Sequence, residues 1–190
     1  AMFAIACDRH QRGELKGDAI VSTVMSNIGF ERALRNHGIE PVRAAVGDRY
    51  VLERMQRDGF VLGGEQSGHV IDLRHNTTGD GPMTAVTVLA IVASTGSTLH
   101  DLVREVVPAP QVLINVRSPR RDVVERPSVV AAIAEAEREL AGEGRLLIRP
   151  SGTEPLIRVM AEGEDKALVE GVAARIAARI EEELTGLTEI

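Results

Sequence analysis

Two spacings of hydrophobic residues alternate along the first hundred positions, one typical of buried strands and the other of amphipathic helices. Short apolar runs rich in β-branched residues predict strands over 19–24, 39–46, 60–62 and 70–73. Apolar residues three or four positions apart predict helices over 28–37, 48–57, 82–94 and 98–103. Strands that alternate with helices in this way predict a layered α/β domain with a mostly parallel sheet.

The pattern changes after Pro108-Ala109-Pro110, so we place a boundary there and expect domains over 1–107 and 108–190. Apolar residues at every second position predict a half-buried strand around 112–116. Further strands are predicted over 145–149 and 156–161, and helices over 128–141 and 165–184, the first with a stripe of Val130, Ile133, Ala134 and Leu140. The second domain is therefore expected to be a smaller α+β domain, an antiparallel sheet with helices on one face.

The amino-acid composition excludes several classes of function but says little more about the fold. Aromatic residues are scarce and the net charge is −6, which argues against nucleic acid as a partner, since stacking rings are few and a net negative chain repels a polyanion. A local basic pocket for a small anion is compatible with this composition. The single cysteine, Cys7, allows no disulfide within the chain and no multi-cysteine zinc site. No apolar run approaches the roughly 20 residues that span a bilayer, and the first residues do not resemble a signal peptide. We therefore expect a cytoplasmic protein with no membrane partner.

A glycine-rich segment, GGEQSGH (63–69), places hydrogen-bonding side chains in a predicted turn. Glu65 accepts hydrogen bonds, whereas Gln66 and Ser67 both donate and accept, which suits the hydroxyl groups of a sugar. A solvated hairpin is the alternative. His69 has no second ligand at a suitable spacing, which favours a structural or hydrogen-bonding role over metal binding.

A second segment, RPSGTEPLIR (149–158), combines residue types that recognise phosphate. Ser151, Thr153 and the backbone around Gly152 could form an anion-binding turn in which the glycine takes a positive φ. Arg149 and Arg158 flank the turn, and we expect Arg158 to be the stronger anchor because it lies on a rigid strand. A hairpin with surface arginines is the alternative.

Two weaker segments, VGDRY (46–50) and NTTGDG (76–81), each precede a predicted helix. Ligands of α/β sheets often bind at such passages. Asp48 and Asp80 could equally be helix caps, and we favour that interpretation.

Taken in order, VGDRYV (46–51), GGEQSGH (63–69), NTTGDG (76–81) and RPSGTEPLIRVM (149–160) closely resemble the bacterial phosphoglucosamine mutases of the α-D-phosphohexomutase superfamily. The resemblance implies interconversion of glucosamine 6-phosphate and glucosamine 1-phosphate for UDP-N-acetylglucosamine synthesis. It also implies a phosphoserine and a bisphosphorylated sugar that serves as intermediate and activator. Gln66 favours this family over phosphomannomutases and phosphoglucomutases, which remain an alternative together with a non-catalytic phosphosugar-binding module.

The resemblance further implies that the chain corresponds to the third and fourth of four domains, and that its partner is the N-terminal half of the same polypeptide. The Ser-His-Asn-Pro phosphoserine segment and the aspartate-rich Mg²⁺ loop are not in this sequence. We therefore expect Mg²⁺ only in the full-length enzyme, no metal ligand here, and no activity of this fragment alone. The implied site residues are Glu65, Gln66, Ser67 and His69 for the sugar, Arg149, Ser151, Gly152, Thr153 and Arg158 for phosphate, and Arg49 and His69 for phosphate contact or proton transfer.

Overall fold

A computed structural model of the chain describes residues 1–152 and 154–188. Thr153, one of the predicted phosphate-binding residues, lies outside the described residues. The chain divides into two compact units, Ala1–Pro108 and Ala109–Ile190. No helix in the described part of the chain is long and apolar enough to cross a membrane. The cytoplasmic location stays a prediction.

The first unit alternates helices and strands. Its helices are Met2–Gln11 (α1), Ile28–Asn36 (α2), Asp48–Asp58 (α3), Gly81–Thr95 (α4) and Leu99–Val103 (α5). Its strands are Ala19–Thr23 (β1), Glu40–Ala44 (β2), Leu62–Gly64 (β3) and Val70–Asp72 (β4). The strand order is β2-β1-β3-β4; β1 pairs in parallel with β2 and β3, and β4 is antiparallel to β3. The predicted layered domain with a mostly parallel sheet is confirmed.

Helices pack on both faces of this sheet. Successive residues of β1 point to opposite faces, so each face of the strand contributes to a separate core. Ile20 belongs to a core cluster with residues of α1, α2 and α4, whereas the next residue, Val21, packs in a second cluster with Val51 and Met55 of α3. Both clusters are aliphatic apart from Phe3 and peripheral Phe30 and Phe60, as the scarcity of aromatic residues requires.

The third strand lies later in the sequence than the prediction of 60–62. Gly63 and Gly64, which we assigned to a turn, are buried residues of β3. A Cβ on Gly63 would lie 2.7 Å from Met55 Sδ, and one on Gly64 would lie 2.3 Å from the carbonyl oxygen of His69. Close packing, and not a turn, therefore requires these two glycines.

The second unit contains Gln111–Arg117 (β5), Pro127–Glu139 (α6), Gly144–Pro150 (β6), Leu156–Gly163 (β7) and Lys166–Thr188 (α7). The strands form an antiparallel sheet in the order β5-β7-β6. Alternate residues of β7, Ile157, Val159 and Ala161, pack in one core cluster with Val172 and Ile176 of α7. The predicted α+β architecture is confirmed.

The predicted apolar stripe of α6 is wrong at two of its four positions, because Val130 and Ala134 are exposed, whereas Ile133 packs against the core. Val130 is 49% exposed, whereas Val129 is fully buried, followed by Ala136 and Leu140. Two adjacent valines fit either face of a helix, so periodicity alone could not decide between them. The polar stretch 118–126 between β5 and α6 contains a short 3₁₀ helix, Asp122–Glu125, with Val123 buried.

Candidate functional site

Three loops of the first unit lie at one edge of its sheet. Residues 24–27, 45–47 and 65–69 follow β1, β2 and β3, respectively. These three strands are parallel, so their carboxyl ends share an edge, where ligands of open α/β sheets bind. Two of the segments singled out in the sequence, VGDRY and GGEQSGH, thus lie at the same edge, after the two strands that flank β1.

A direct hydrogen bond joins these two segments. The backbone N–H of Gly47 donates to Oε1 of Glu65 over 2.7 Å. Within the second loop, the N–H of Glu65 donates to the carbonyl of His69 over 2.9 Å, and Gly68 closes the turn with a φ of +97°. Glu65 is half-buried, whereas Gln66 and Ser67 at the tip of the turn are exposed. The loop therefore holds one carboxylate and presents an amide and a hydroxyl to solvent.

A cleft of about 410 Å³ opens beside this turn. Its polar lining comes from Ser26, Asn27, Glu65 and Gln66, and its apolar lining includes Phe3, Phe30, Val70 and Val103. The volume lies in the range of small-molecule sites, and an apolar wall with a few polar groups is their usual composition. The segment 25–30 contributes three of these lining residues although the sequence assigned it no site role.

The NTTGDG segment contacts the same loop through His69. A Cβ on Gly79 would lie 2.9 Å from Cδ2 of His69, so the exposed imidazole ring packs against this glycine. Asp80 is the N-cap of α4, because its Oδ1 accepts from the N–H of Met83 over 2.9 Å. The predicted cap at Asp80 is confirmed.

The other predicted cap is wrong, and Arg49 lies outside the cleft lining. Gly47, and not Asp48, is the N-cap of α3; Asp48 is the first helical residue. Arg49 is 80% exposed and pairs with Glu53, one turn along the helix, over 2.7 Å. Neither residue lines the 410 Å³ cleft.

In the second unit, the turn between β6 and β7 is shaped by Ser151. This serine is 1% exposed, its N–H donates to the carbonyl of Leu156 over 2.8 Å, and its Oγ accepts from the N–H of Glu154 over 3.3 Å. The Ser151 hydroxyl can therefore still donate a hydrogen bond to another group. Gly152 does not adopt the positive φ that we predicted, although the space beside its Cα is open.

Arg149 and Arg158 lie directly opposite each other on β6 and β7. Arg158 Nη2 donates to Glu154 Oε2 over 3.1 Å. Arg149 Nε is buried and has no hydrogen-bond partner among the described residues. Burial, followed by the charge of Arg158, lowers the pKa of Arg149. Two adjacent cations with an unsatisfied donor form an arrangement that a bound anion would stabilise.

Arg121 joins this turn, although the sequence analysis did not single it out. Its Nη2 lies 3.4 Å from the carbonyl oxygen of Gly152, and the two residues line a groove of about 270 Å³ with Ser118 and Glu154. The signal that could have identified it is the cluster of arginines at 117, 120 and 121, which begins at the last residue of β5. No group of three or more His, Cys, Asp or Glu side chains in the described residues could hold a metal ion.

Comparisons with known proteins identify the two units. The family described as "Phosphoglucomutase/phosphomannomutase, alpha/beta/alpha domain III" matches residues 1–109, and the family's C-terminal domain matches residues 113–179. The phosphoglucosamine mutase of Paramagnetospirillum magneticum is 58% identical over 164 residues, which cover 85% of this chain and 36% of that protein. The phosphoglucosamine mutase of Bacillus subtilis is 49% identical over 181 residues, covering 94% of this chain and 40% of that protein.

Solved structures share the fold at lower sequence identity. N-acetylphosphoglucosamine mutase of Aspergillus fumigatus, solved with GlcNAc-6P and magnesium, gives a TM-score of 0.77 at 19% identity, covering 94% of this chain and 45% of that one. A phosphoglucomutase/phosphomannomutase family protein of Burkholderia thailandensis gives a TM-score of 0.67 at 21% identity, covering 97% of this chain and 40% of that one. This chain spans between 36% and 41% of the length of the curated relatives that it matches. From the matches to the third and C-terminal domains, the chain belongs to the phosphoglucomutase/phosphomannomutase family.

Proposed function

We propose that this chain is the sugar- and phosphate-binding part of a phosphoglucosamine mutase, which interconverts glucosamine 6-phosphate and glucosamine 1-phosphate. The observation that carries the proposal is its 47–58% identity to phosphoglucosamine mutases over 85–97% of its length. The reaction would proceed through a phosphoserine and a bisphosphorylated sugar, with the phosphoserine supplied by the N-terminal half of the same polypeptide.

Glu65, Gln66, Ser67 and His69 are the proposed sugar-binding residues. Support comes from the carboxylate of Glu65, which lines a cleft of suitable volume and can accept hydrogen bonds from sugar hydroxyls. Gln66 and Ser67 are exposed beside it and can both donate and accept. We keep His69 and Arg49 as candidates for phosphate contact or proton transfer.

The proposed phosphate anchor consists of Arg149, Ser151, Gly152, Thr153 and Arg158. The strongest support for this anchor comes from Arg149, whose buried Nε donor has no partner among the described residues. Such a donor is rare unless a ligand completes its hydrogen bonds. Arg121 extends the proposed anchor, since it lies against Gly152 at the same turn. A mutase that reverses its sugar between two half-reactions needs such a grip on the phosphate that is not reacting.

Magnesium belongs to the proposal only through the full-length enzyme. The described residues do not fit this ion, since no three potential ligands are grouped among them. We therefore assign its ligands to the N-terminal half and derive no step of the reaction through it.

Titration calorimetry of the purified chain with glucosamine 6-phosphate and with inorganic phosphate tests the two sites separately. Glu65→Ala should weaken binding of the sugar phosphate by about 10- to 100-fold and leave inorganic phosphate unchanged, because Glu65 would contact only hydroxyls. Glu137→Ala, an exposed glutamate of α6, is the matched control and should bind both ligands like the parent. If Glu65→Ala binds the sugar phosphate normally, the sugar site lies elsewhere.

A phosphomannomutase or phosphoglucomutase is the second candidate, because the matching family carries both names. Titration with glucosamine, glucose and mannose 6-phosphates separates the candidates. A clear preference for glucosamine 6-phosphate supports the first. Equal or reversed affinities favour the second. If the full-length protein binds these sugar phosphates but does not convert them, the chain belongs to a phosphosugar-binding module.

A further inference from the structure

Glu65 bonds to the residue at which a neighbouring helix begins. The carboxylate reaches out of its own turn and accepts from the N–H of Gly47, which lies 18 positions earlier in the chain. The carbonyl of Gly47 in turn accepts from the N–H groups of Tyr50 and Val51, at 3.0 and 3.2 Å, and so begins α3. Gly47 therefore connects the first turn of α3 to the proposed sugar-binding carboxylate.

Only glycine suits this connecting position. Gly47 has φ +127° and ψ +132°, a conformation that residues with a Cβ rarely adopt. An added Cβ would also lie 3.3 Å from Cδ2 of Tyr50. Any other residue would shift φ, and that shift would change the direction of the N–H relative to the helix that follows. The glycine thus determines where the donor to Glu65 points.

The hydrogen bond assigns the two carboxylate oxygens different roles. Oε1 is held by Gly47, at the positive end of the α3 dipole, which attracts a carboxylate. Oε2 is then the oxygen that can accept from a hydroxyl in the cleft that Glu65 lines. A carboxylate held at one oxygen loses less rotational freedom when it binds a ligand, so its contact with the ligand is stronger.

We propose that Gly47 is a positioning residue for the sugar site: it holds Glu65 through Oε1 so that Oε2 accepts a hydrogen bond from a sugar hydroxyl. The inference rests on the proposed function of Glu65. It adds to that function a role for the VGDRY segment that involves neither the aspartate nor the arginine of the segment.

A double-mutant cycle tests the proposal on the whole chain. Gly47→Ala should weaken glucosamine 6-phosphate binding by about 10-fold, because the carboxylate loses its fixed orientation, and should leave inorganic phosphate binding unchanged. Gly47→Ala/Glu65→Ala should bind like Glu65→Ala alone, because the glycine acts only through the glutamate. Gly96→Ala is the control; it strains another left-handed glycine, φ +68°, at the end of α4 and should bind like the parent.

A second measurement keeps the test independent of folding defects and of the ligand. Amide hydrogen exchange by NMR should show the Gly47 N–H protected in the parent and exchanging faster in Glu65→Ala, since its acceptor is removed. Unchanged exchange, normal binding by Gly47→Ala, or additive losses in the double variant would each overturn the inference while leaving the proposed function intact. A parent chain that binds phosphate but no sugar phosphate would overturn both.

Discussion

Arg9 and Asp72 form a buried ion pair between α1 and β4. Arg9 is 4% exposed and donates from Nη1 to Oδ1 of Asp72 over 2.9 Å and from Nη2 to Oδ2. The carboxylate also accepts from the N–H of Arg74 over 3.1 Å. Burial raises the pKa of Asp72, but the hydrogen bond and charge of Arg9 outweigh it, and the pKa is lowered. This ion pair thus joins the first helix to the strand that follows the sugar loop.

Asp72→Asn is expected to lower the free energy of unfolding by about 3–5 kcal/mol, because it leaves the buried charge of Arg9 without its partner. Asp58→Asn is the control; Asp58 pairs with Arg54 and Arg57 on the exposed side of α3, and its loss should cost at most about 1 kcal/mol. Urea denaturation of the three proteins gives the comparison. Equal losses would show that the buried pair contributes no more than a surface pair.

The same pair predicts a pH dependence. Since the folded-state pKa of Asp72 lies below its unfolded value, near 3.9, its contribution is fully present above about pH 4 and is lost as pH falls through the folded-state pKa. The stability difference between the parent and Asp72→Asn should therefore narrow in acid. A constant difference down to pH 2 would contradict this assignment.

At the phosphate anchor, the contacts favour a ranking opposite to the one expected from the sequence. Arg158 already pairs with Glu154, whereas Arg149 Nε has no partner in the part of the chain that the structure describes. Arg149→Ala should therefore weaken inorganic phosphate binding by about 10- to 100-fold, and Arg158→Ala by less. Calorimetric titration of both variants measures the order. A larger loss for Arg158→Ala would restore the sequence-based ranking.

Among the elements, α3 and α4 begin in different ways although an aspartate stands near the start of each. Asp80 caps α4 with its side chain, whereas α3 begins at the backbone of Gly47 and Asp48 is already helical. The two aspartates are therefore not equivalent, and the difference can be measured.

Asp80→Ala should lower the free energy of unfolding by about 1 kcal/mol, because one N–H of the first turn loses its acceptor. Asp48→Ala should cost less, about 0.3–1 kcal/mol, since it removes a favourable charge near the helix dipole and an exposed hydrogen bond from the N–H of Arg49. Thermal unfolding of both variants provides the values. A larger loss for Asp48→Ala would mean that the cap assignment is wrong.

For the whole molecule, the main feature is that each unit has its own core. The clusters of the first unit contain no residue of the second, and the cluster around Ile157 and Ile176 lies wholly within Ala109–Ile190. Each unit exceeds the length of about 40 residues below which a domain usually needs disulfides or metals.

We therefore expect chains of residues 1–108 and 109–190 to fold separately. Each should unfold cooperatively on heating, followed by circular dichroism, and 109–190 should bind inorganic phosphate on its own. A fragment that shows no cooperative transition would mean that its core depends on the other unit.

The chain by itself is expected to show no mutase activity. Phosphoryl transfer needs a positioned carrier and a metal ion, and the family's phosphoserine segment is not in this sequence. A coupled assay with Mg²⁺, glucosamine 6-phosphate and a bisphosphorylated sugar should give only background. Turnover that scales with the concentration of the chain would contradict the division of catalytic parts.

The sequence alone determined the order and type of most elements and the two segments with binding chemistry. Periodicity is a local property: a stripe at every fourth residue of α7, or alternation along β5, predicts a buried face without knowledge of the partner. The residue types of GGEQSGH and RPSGTEPLIR were likewise readable, because hydrogen-bonding capacity and charge belong to the side chain itself. The four ordered motifs were sufficient to indicate the family.

Only the tertiary structure decided how those residues are used. The residues at 63 and 64 are strand residues because they pair with β4, and they must be glycine because Met55 and His69, distant in the chain or across the turn, leave no space for a Cβ. Val129 is buried in place of Val130 because the core that α6 shares with α7 and the sheet lies on one side of the helix. The bond between Gly47 and Glu65 and the difference between Arg149 and Arg158 arise between separate strands and loops. Contacts between residues far apart in the chain leave no local pattern, so periodicity and residue type cannot predict them.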